Sequence, residues 1–359
     1  MSDDRRLLEE MATAVLERSQ PRALVDDVLP LDLALWRVLE ETGLARLSFA
    51  ESQGGGEGNL QQLIAVLKLA GKFSAEVPIA ESQLLGGWLL TQAGMDVPRG
   101  PLTCAIDSRL ECVADEGGWL LKGIARRVPW GSASSSFVAI ANTPTESNVV
   151  LVPSSAGAWV SSANIAGEPR DEVSLDVILT SSQVATIGAS VSDELSLRAM
   201  LGKAAMMAGA AERVFELVLE HVKNRSQFGR VIGSFQSVQH DVAKIASYCR
   251  AINVSTMSST LTCDTLGFRS SESRVAVLAT KVEANRLGTL IARSAHQLLG
   301  AIGFTDEHEL RLSTTRLWSW CQECGTSATI QLDLGSEALR RGKAWELISP
   351  QSDSVWSTQ

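Results

Sequence analysis

The sequence predicts an α+β protein with helices first, short strands in the middle and long helices at the end. Three observations predict this order. Apolar residues recur at helical spacing from Arg5 to about Ala93, and short β-branched runs broken by turn residues fill Val97 to Gly188. Four long helical stretches then occupy Glu194 to about Glu346. A chain of 359 residues exceeds the usual size of one core, so we expect three domains at 1–98, 99–190 and 191–359.

The first zone carries Leu7, Leu8, Met11 and Val15 on one helical face, and Leu60, Leu63, Ile64 and Leu67 on another. Its breaks are Ser19 to Pro21, the glycine cluster Gly54 to Gly58, and Pro78. That cluster lacks GxGxxG spacing and no Lys-Ser/Thr follows, so it reads as a plain loop with Asn59 as helix N-cap. In the middle zone, Trp119–Lys122, Phe137–Ile140, Val149–Val152 and Val177–Leu179 read as strands of a small antiparallel β-domain with no βαβ unit. The closing helices are expected at roughly 195–224, 235–262, 271–300 and 306–346, joined by short loops as in a four-helix bundle.

Composition narrows the function classes. The chain is 45% hydrophobic and 20% charged, which fits an ordered globular protein. A net charge of −9 argues against nucleic-acid and anionic-membrane partners, for which a basic surface is the first requirement. Met1 to Glu10 has no apolar h-region, and no apolar run approaches the roughly 20 residues of a membrane helix; a cytoplasmic location is expected. The six cysteines are scattered and read as reduced thiols. Cys321 and Cys324 have CxxC spacing but lack a second ligand pair, and His221, His240, His296 and His308 form no metal motif, so no metal is expected.

One stretch carries cofactor chemistry. Arg225 follows the first long helix of the closing zone in a glycine-containing loop, where its guanidinium can bind phosphate in bidentate fashion and Phe228 can stack on a flat ring. Taken alone, a solvated Arg and a Phe plugging the bundle end explain the same residues. The full string, Arg225-x-Gln-Phe-Gly followed by Ile232, Phe235-Gln236, Val238-Gln-His240 and Ala243, resembles the R-x-x-F-G…F-Q segment of acyl-CoA dehydrogenases. Gln297-Leu-Leu-Gly-Ala-Ile-Gly303, followed by Glu307 and Leu310, looks like that family's Q-x-x-G-G-x-G loop. Leu35–Leu39 and Glu51–Gly55 are similar to its first domain, so the resemblance covers nearly the whole chain.

The resemblance implies the acyl-CoA dehydrogenase fold: an N-terminal helical domain, a middle antiparallel β-domain and a C-terminal four-helix bundle. It implies FAD as cofactor, with Arg225 on the pyrophosphate, Phe228 near the adenine, and Gln227, Gln236, Gln297, Gly300, Ala301 and Gly303 lining the same half. In the family a neighbouring subunit supplies this half, so an oligomer is implied. An acyl-CoA substrate and an electron-transfer flavoprotein or similar acceptor follow from the same resemblance.

The family's reaction needs a carboxylate to remove the α-proton of the acyl thioester while the β-hydride leaves for the flavin. The usual base position falls on Cys324, within Glu323-Cys-Gly-Thr-Ser327, and the alternative position falls on Ala199. A thiol carries far less negative charge than a carboxylate at neutral pH. Glu323 is adjacent, but on a continuous helix one residue is a rotation of about 100°, which turns it away. Glu194 reads as a helix-start acid. The family's flavin-ring loop and strand correspond to Leu102–Asp107 and Arg127–Gly131, where Pro129 offers neither N–H nor hydroxyl.

The residues retained serve a flavin held mainly by a partner, and those lost serve a flavin in the chain's own cleft. Val128-Pro-Trp130 and the runs Gly300–His308 and Arg316–Trp320 look like the shorter subunit of α2β2 acyl-CoA dehydrogenases acting on steroid side-chain CoA thioesters. The leading expectation is a base-lacking subunit, inactive alone, that completes the FAD site of a homologous catalytic subunit in a heterotetramer of lipid and steroid degradation. Two alternatives stand beside it: a self-sufficient homotetramer, and a pseudoenzyme that binds acyl-CoA or protein without turnover.

Overall fold

The computed structural model describes residues 3–341 apart from 20–22, 144 and 306. The expected break at Ser19 to Pro21 and the last residues of the fourth closing helix therefore lie partly outside the described residues. The chain opens with helices α1 (Asp3–Leu16), α2 (Leu33–Glu41), α3 (Leu60–Lys72) and α4 (Trp88–Gln92). Asp32 caps α2 by accepting from the Leu35 amide at 2.8 Å. Asn59 caps α3 through a reciprocal pair with Gln62, each side chain accepting from the other's amide at 2.9 Å. A buried π-helical segment, Ala80–Gly87, leads directly into α4.

The strands are β1 (Leu102–Cys104), β2 (Asp107–Asp115), β3 (Gly118–Pro129), β4 (Ser136–Asn142), β5 (Ser147–Pro153), β6 (Ala158–Val160), β7 (Arg170–Leu179) and β8 (Val184–Ile187). They form one sheet in the order β6-β7-β3-β2-β4-β5-β8, with β1 beside β4. All four expected strands lie inside β3, β4, β5 and β7, but the sheet is mixed and not purely antiparallel. Both β1 and β2 run parallel to β4. The cause is the chain path: β4 returns beside β1 only after the β2–β3 hairpin, so it approaches in the same direction.

The remaining elements are α5 (Ser190–Asn224), a two-residue hairpin β9 (Ser226–Gln227) and β10 (Arg230–Val231), α6 (Gln236–Leu266), α7 (Ser271–Leu299), α8 (Leu310–Trp320) and α9 (Ser327–Arg341). The fourth expected helix is thus two helices. Cys324 and Gly325 take positive φ of 55° and 102°, and that turn ends the helical path. The rotation argument that turned Glu323 away from the site consequently does not apply.

Glycines set how closely the first layer meets the bundle. A Cβ at Gly71 of α3 would fall 2.0 Å from the Met206 carbonyl oxygen, and one at Gly209 of α5 would fall 1.8 Å from that of Lys68. These two helices therefore touch backbone to backbone, flanked by Lys68 and Lys72 paired with Glu212 and Glu216. Apolar residues of the first helices, of β1 and of the start of α5 form one core, and the bundle interior and the sheet form two more.

Candidate functional site

Where these cores meet, a cavity of about 730 Å³ opens between the π-helical segment, the ends of β1 and β3, the loop before β7, the first part of α5 and the Cys321–Thr326 turn. Cys324 and Ala199 both line it, so the structure brings the two base positions read from the sequence into one cleft. Glu323 reaches the same wall, because the turn replaces a continuous helix.

Glu323 is fully engaged there. Arg170 donates to it twice, Nε to Oε1 and Nη2 to Oε2, each at 2.9 Å, and Asn164 donates to Oε1 at 2.9 Å. Lys203 of α5 stands 3.2 Å from Oε2. Arg170 also pairs with Glu168 at 2.9 Å, and Glu168 in turn lies 3.2 Å from Arg316 and accepts from the Trp320 indole at 2.8 Å. This buried chain ties the sheet to the bundle. Burial alone would raise the Glu323 carboxyl, but Arg170 and Lys203 outweigh it and hold the group well below the usual carboxylate range. A carboxylate so held is a poor proton acceptor.

Cys324 is no better suited. Burial pushes its thiol up, and Lys203 and Lys281 only partly oppose that. Lys281 is fully buried on α7, donating to Asn285 and to the Trp320 carbonyl oxygen, and burial lowers it to about 8. Glu194 is more than a helix-start acid: it is buried and pairs with Arg198 and Arg269, each at 2.9 Å.

The residues read as cofactor-binding lie elsewhere. Arg225 caps the C-terminus of α5, and Ser226 to Val231 form an exposed hairpin whose tip, Phe228, is 90% exposed at φ 52°. Phe228 meets Phe235 edge to face, and Arg230 covers the Phe235 ring at 4.0 Å. Gln227, Gln236, Gln297, Gly300 and Ala301 are exposed, and Gly303 is buried against Leu310 and His296. The 225–236 and 297–303 loops share one end of the bundle: Arg213 of α5 pairs with Glu309 at 2.5 Å, and burial, His308 and Arg225 together lower His221.

Along α5, Arg225 stands about 39 Å from Ala199 at the helical rise per residue. No single dinucleotide spans both places. The Arg225 end fits the adenine and pyrophosphate of FAD, since an exposed guanidinium without a partner among the described residues and an exposed aromatic ring are left for a ligand. The cleft fits the flavin ring poorly. Pro129 lines it without an N–H, and the buried Thr103 hydroxyl is spent on the Pro129 carbonyl oxygen.

Sequence reasoning missed Glu81, Glu168, Arg170, Lys203 and Lys281. The available signal was a charge inside an apolar run, as in Leu201-Gly-Lys203-Ala-Ala and Pro78-Ile-Ala-Glu81.

Comparison with known proteins accords with this architecture. A family model for the acyl-CoA dehydrogenase C-terminal domain matches residues 197–325. The chain is 28% identical over 336 residues to acyl-CoA dehydrogenase IpdE2 of Mycolicibacterium smegmatis, covering 90% of this chain and 96% of that protein. It is also 28% identical over 258 residues to acyl-CoA dehydrogenase FadE27 of Mycobacterium tuberculosis, covering 66% and 68%. A chain of the ChsE4-ChsE5 complex of M. tuberculosis superposes with a TM-score of 0.83 at 19% identity, over 94% of this chain and 98% of the other. A chain of the Tcur3481-Tcur3483 steroid ACAD superposes at 0.80 with 21% identity, over 95% and 99%. With its helical layer, mixed sheet and closing bundle, the chain has the fold of these acyl-CoA dehydrogenases, and residues 197–325 match that family's C-terminal domain.

Proposed function

We propose that this chain is the base-lacking subunit of a heteromeric FAD-dependent acyl-CoA dehydrogenase, in which it completes the cofactor site of a homologous catalytic subunit. The observation that carries the reading is the placement of Arg225 and Phe228: both exposed just past the C-terminus of α5, Arg225 without an ion-pair partner among the described residues, and both far from the chain's own cleft. Arg225 would hold the pyrophosphate and Phe228 the adenine, with Gln227, Gln236, Gln297, Gly300, Ala301 and Gly303 around them. FAD supplies hydride acceptance when bound, and these residues bind and orient its distal half.

The second support is the cleft, where Cys324 and Ala199 occupy the base positions and Glu323 is locked by cations. The α-proton is then removed by the partner's carboxylate. The likeness to a chain of the ChsE4-ChsE5 complex and to a chain of a steroid ACAD supports a heteromeric assembly and a steroid side-chain CoA thioester as substrate; an electron-transfer flavoprotein or similar acceptor and a cytoplasmic heterotetramer complete the proposal. We assign 1–98, 99–190 and 191–359 as its three domains.

Purification of the chain alone and with its genomic neighbour tests the reading. The expected result is one FAD per two chains in the complex, and neither bound flavin nor dehydrogenation in the isolated chain. Full flavin occupancy and turnover by the isolated chain would overturn it.

A further inference from the structure

The chain's own cleft holds one group that its surroundings leave unused. Glu81 lies in the π-helical segment, 6% exposed, on the cavity wall. Its neighbours along the segment spend their side chains on the fold. Ser82 Oγ donates to the Leu102 carbonyl oxygen at 2.8 Å and accepts from its amide at 3.0 Å. Gln83 donates to the Leu44 carbonyl oxygen at 2.8 Å and accepts from the Ser48 amide at 3.1 Å. Glu81 has no hydrogen-bond or ion-pair partner among the described residues.

Every other charged residue on that wall is ion-paired. Asp107 pairs with Arg127 at 2.6 Å and Arg126 with Glu172 at 2.8 Å, while Arg170 and Lys203 share Glu323. The Glu81 carboxylate therefore faces the cavity with acceptor positions that no protein donor fills, and a ligand donor can fill them. Irregular π-helical turns recur where a side chain must be aimed at a site.

We infer that this cleft is a ligand site in its own right, and that Glu81 selects for a ligand with an apolar body and a hydroxyl group. The remaining wall is largely apolar, formed by Leu84, Leu85, Ile106, Ile165, Met200 and Trp318 among others, which accounts for the body. A hydroxyl is favoured over an ammonium because Arg170 and Lys203 lie close enough to feel the Glu81 charge and would repel a second cation. The site goes beyond the FAD half-site at Arg225 and stands or falls separately from it.

The test is calorimetric titration of the full chain with medium-chain acyl-CoAs and with counterparts whose hydroxyl is moved stepwise from the ω end toward the thioester. Wild type should bind at least one hydroxylated member about tenfold or more tightly than its parent. That preference should shrink in E81Q and vanish in E81L. Leu in place of an unpartnered buried carboxylate suits an apolar wall, and E81Q preserves the shape should E81L misfold. Equal affinity for hydroxylated and parent members in wild type, or a preference that survives in E81L, overturns the role of Glu81. Binding of no member at all overturns the ligand site, and FAD content of the complex, measured in parallel, reports on the Arg225 half-site alone.

Discussion

Glu323 offers the sharpest test of how the cleft works, because a carboxylate beside Cys324 is either a base or a tie. Replacing it by Gln keeps the size and removes the charge. In the folded chain it accepts two hydrogen bonds from Arg170 and one from Asn164, and it neutralises Lys203 at 3.2 Å. After substitution, Arg170, Lys203 and Arg316 keep Glu168 as their remaining close carboxylate, with only the more distant Glu81 acting on Arg170 and Lys203. Breaking a buried, hydrogen-bonded pair by removing one partner costs about 3–5 kcal/mol. The E323Q chain should therefore unfold at a clearly lower urea concentration than wild type at neutral pH. The sign of the pH dependence follows from the depressed carboxyl: its contribution is complete above the ordinary carboxylate range and is lost as pH falls below that range. The gap between wild type and E323Q should accordingly narrow in acid. An E323Q chain of wild-type stability, in a complex that has lost dehydrogenation entirely, would refute the argument and make Glu323 the base.

Two further substitutions probe the rest. Lys281→Met removes a buried cation that burial lowers to about 8 from 10.5. The charged form opposes folding below pH 8, by at most about 3 kcal/mol, and wild type recovers as pH rises toward the unfolded value. The variant's advantage in urea unfolding, reduced by lost bonds to Asn285 and Trp320, should thus be largest below that pH and shrink above it. Arg225→Ala should leave thermal stability unchanged, since the side chain is exposed, and should weaken FAD retention by the complex about tenfold or more, read by flavin absorbance after gel filtration.

Much of the fold was legible because it rests on local periodicity. The helical faces of α1 and α3, the Asn59 cap and the four β-branched runs all declare themselves over a few residues. The break between α8 and α9 did not, because Cys324 holds a positive φ that glycine ordinarily signals. The parallel approach of β4 depends on the path of the chain and has no local signature. At the site, Arg225 and Phe228 were legible as a motif, whereas Glu168, Arg170, Lys203 and Glu323 meet only after the sheet has docked on the bundle.

The two ends of α5 differ in a way that bears on what counts as a site. At the cleft end, Glu323, Glu168, Arg170, Arg316 and Lys203 satisfy one another, and a satisfied network has little free energy to gain from a ligand. At the other end, Arg225 is exposed without a side-chain partner among the described residues and Phe228 is 90% exposed, as the half-site proposed for them requires. By that criterion the absence of a carboxylate at Cys324 and Ala199 is compatible with a ligand role for the cleft. The cavity is lined in part by these ion pairs, with Glu81 on its wall and without a hydrogen-bond donor among the described residues. The open cleft and the uncommitted Glu81 carboxylate on its wall are the physical reason to look for a ligand there.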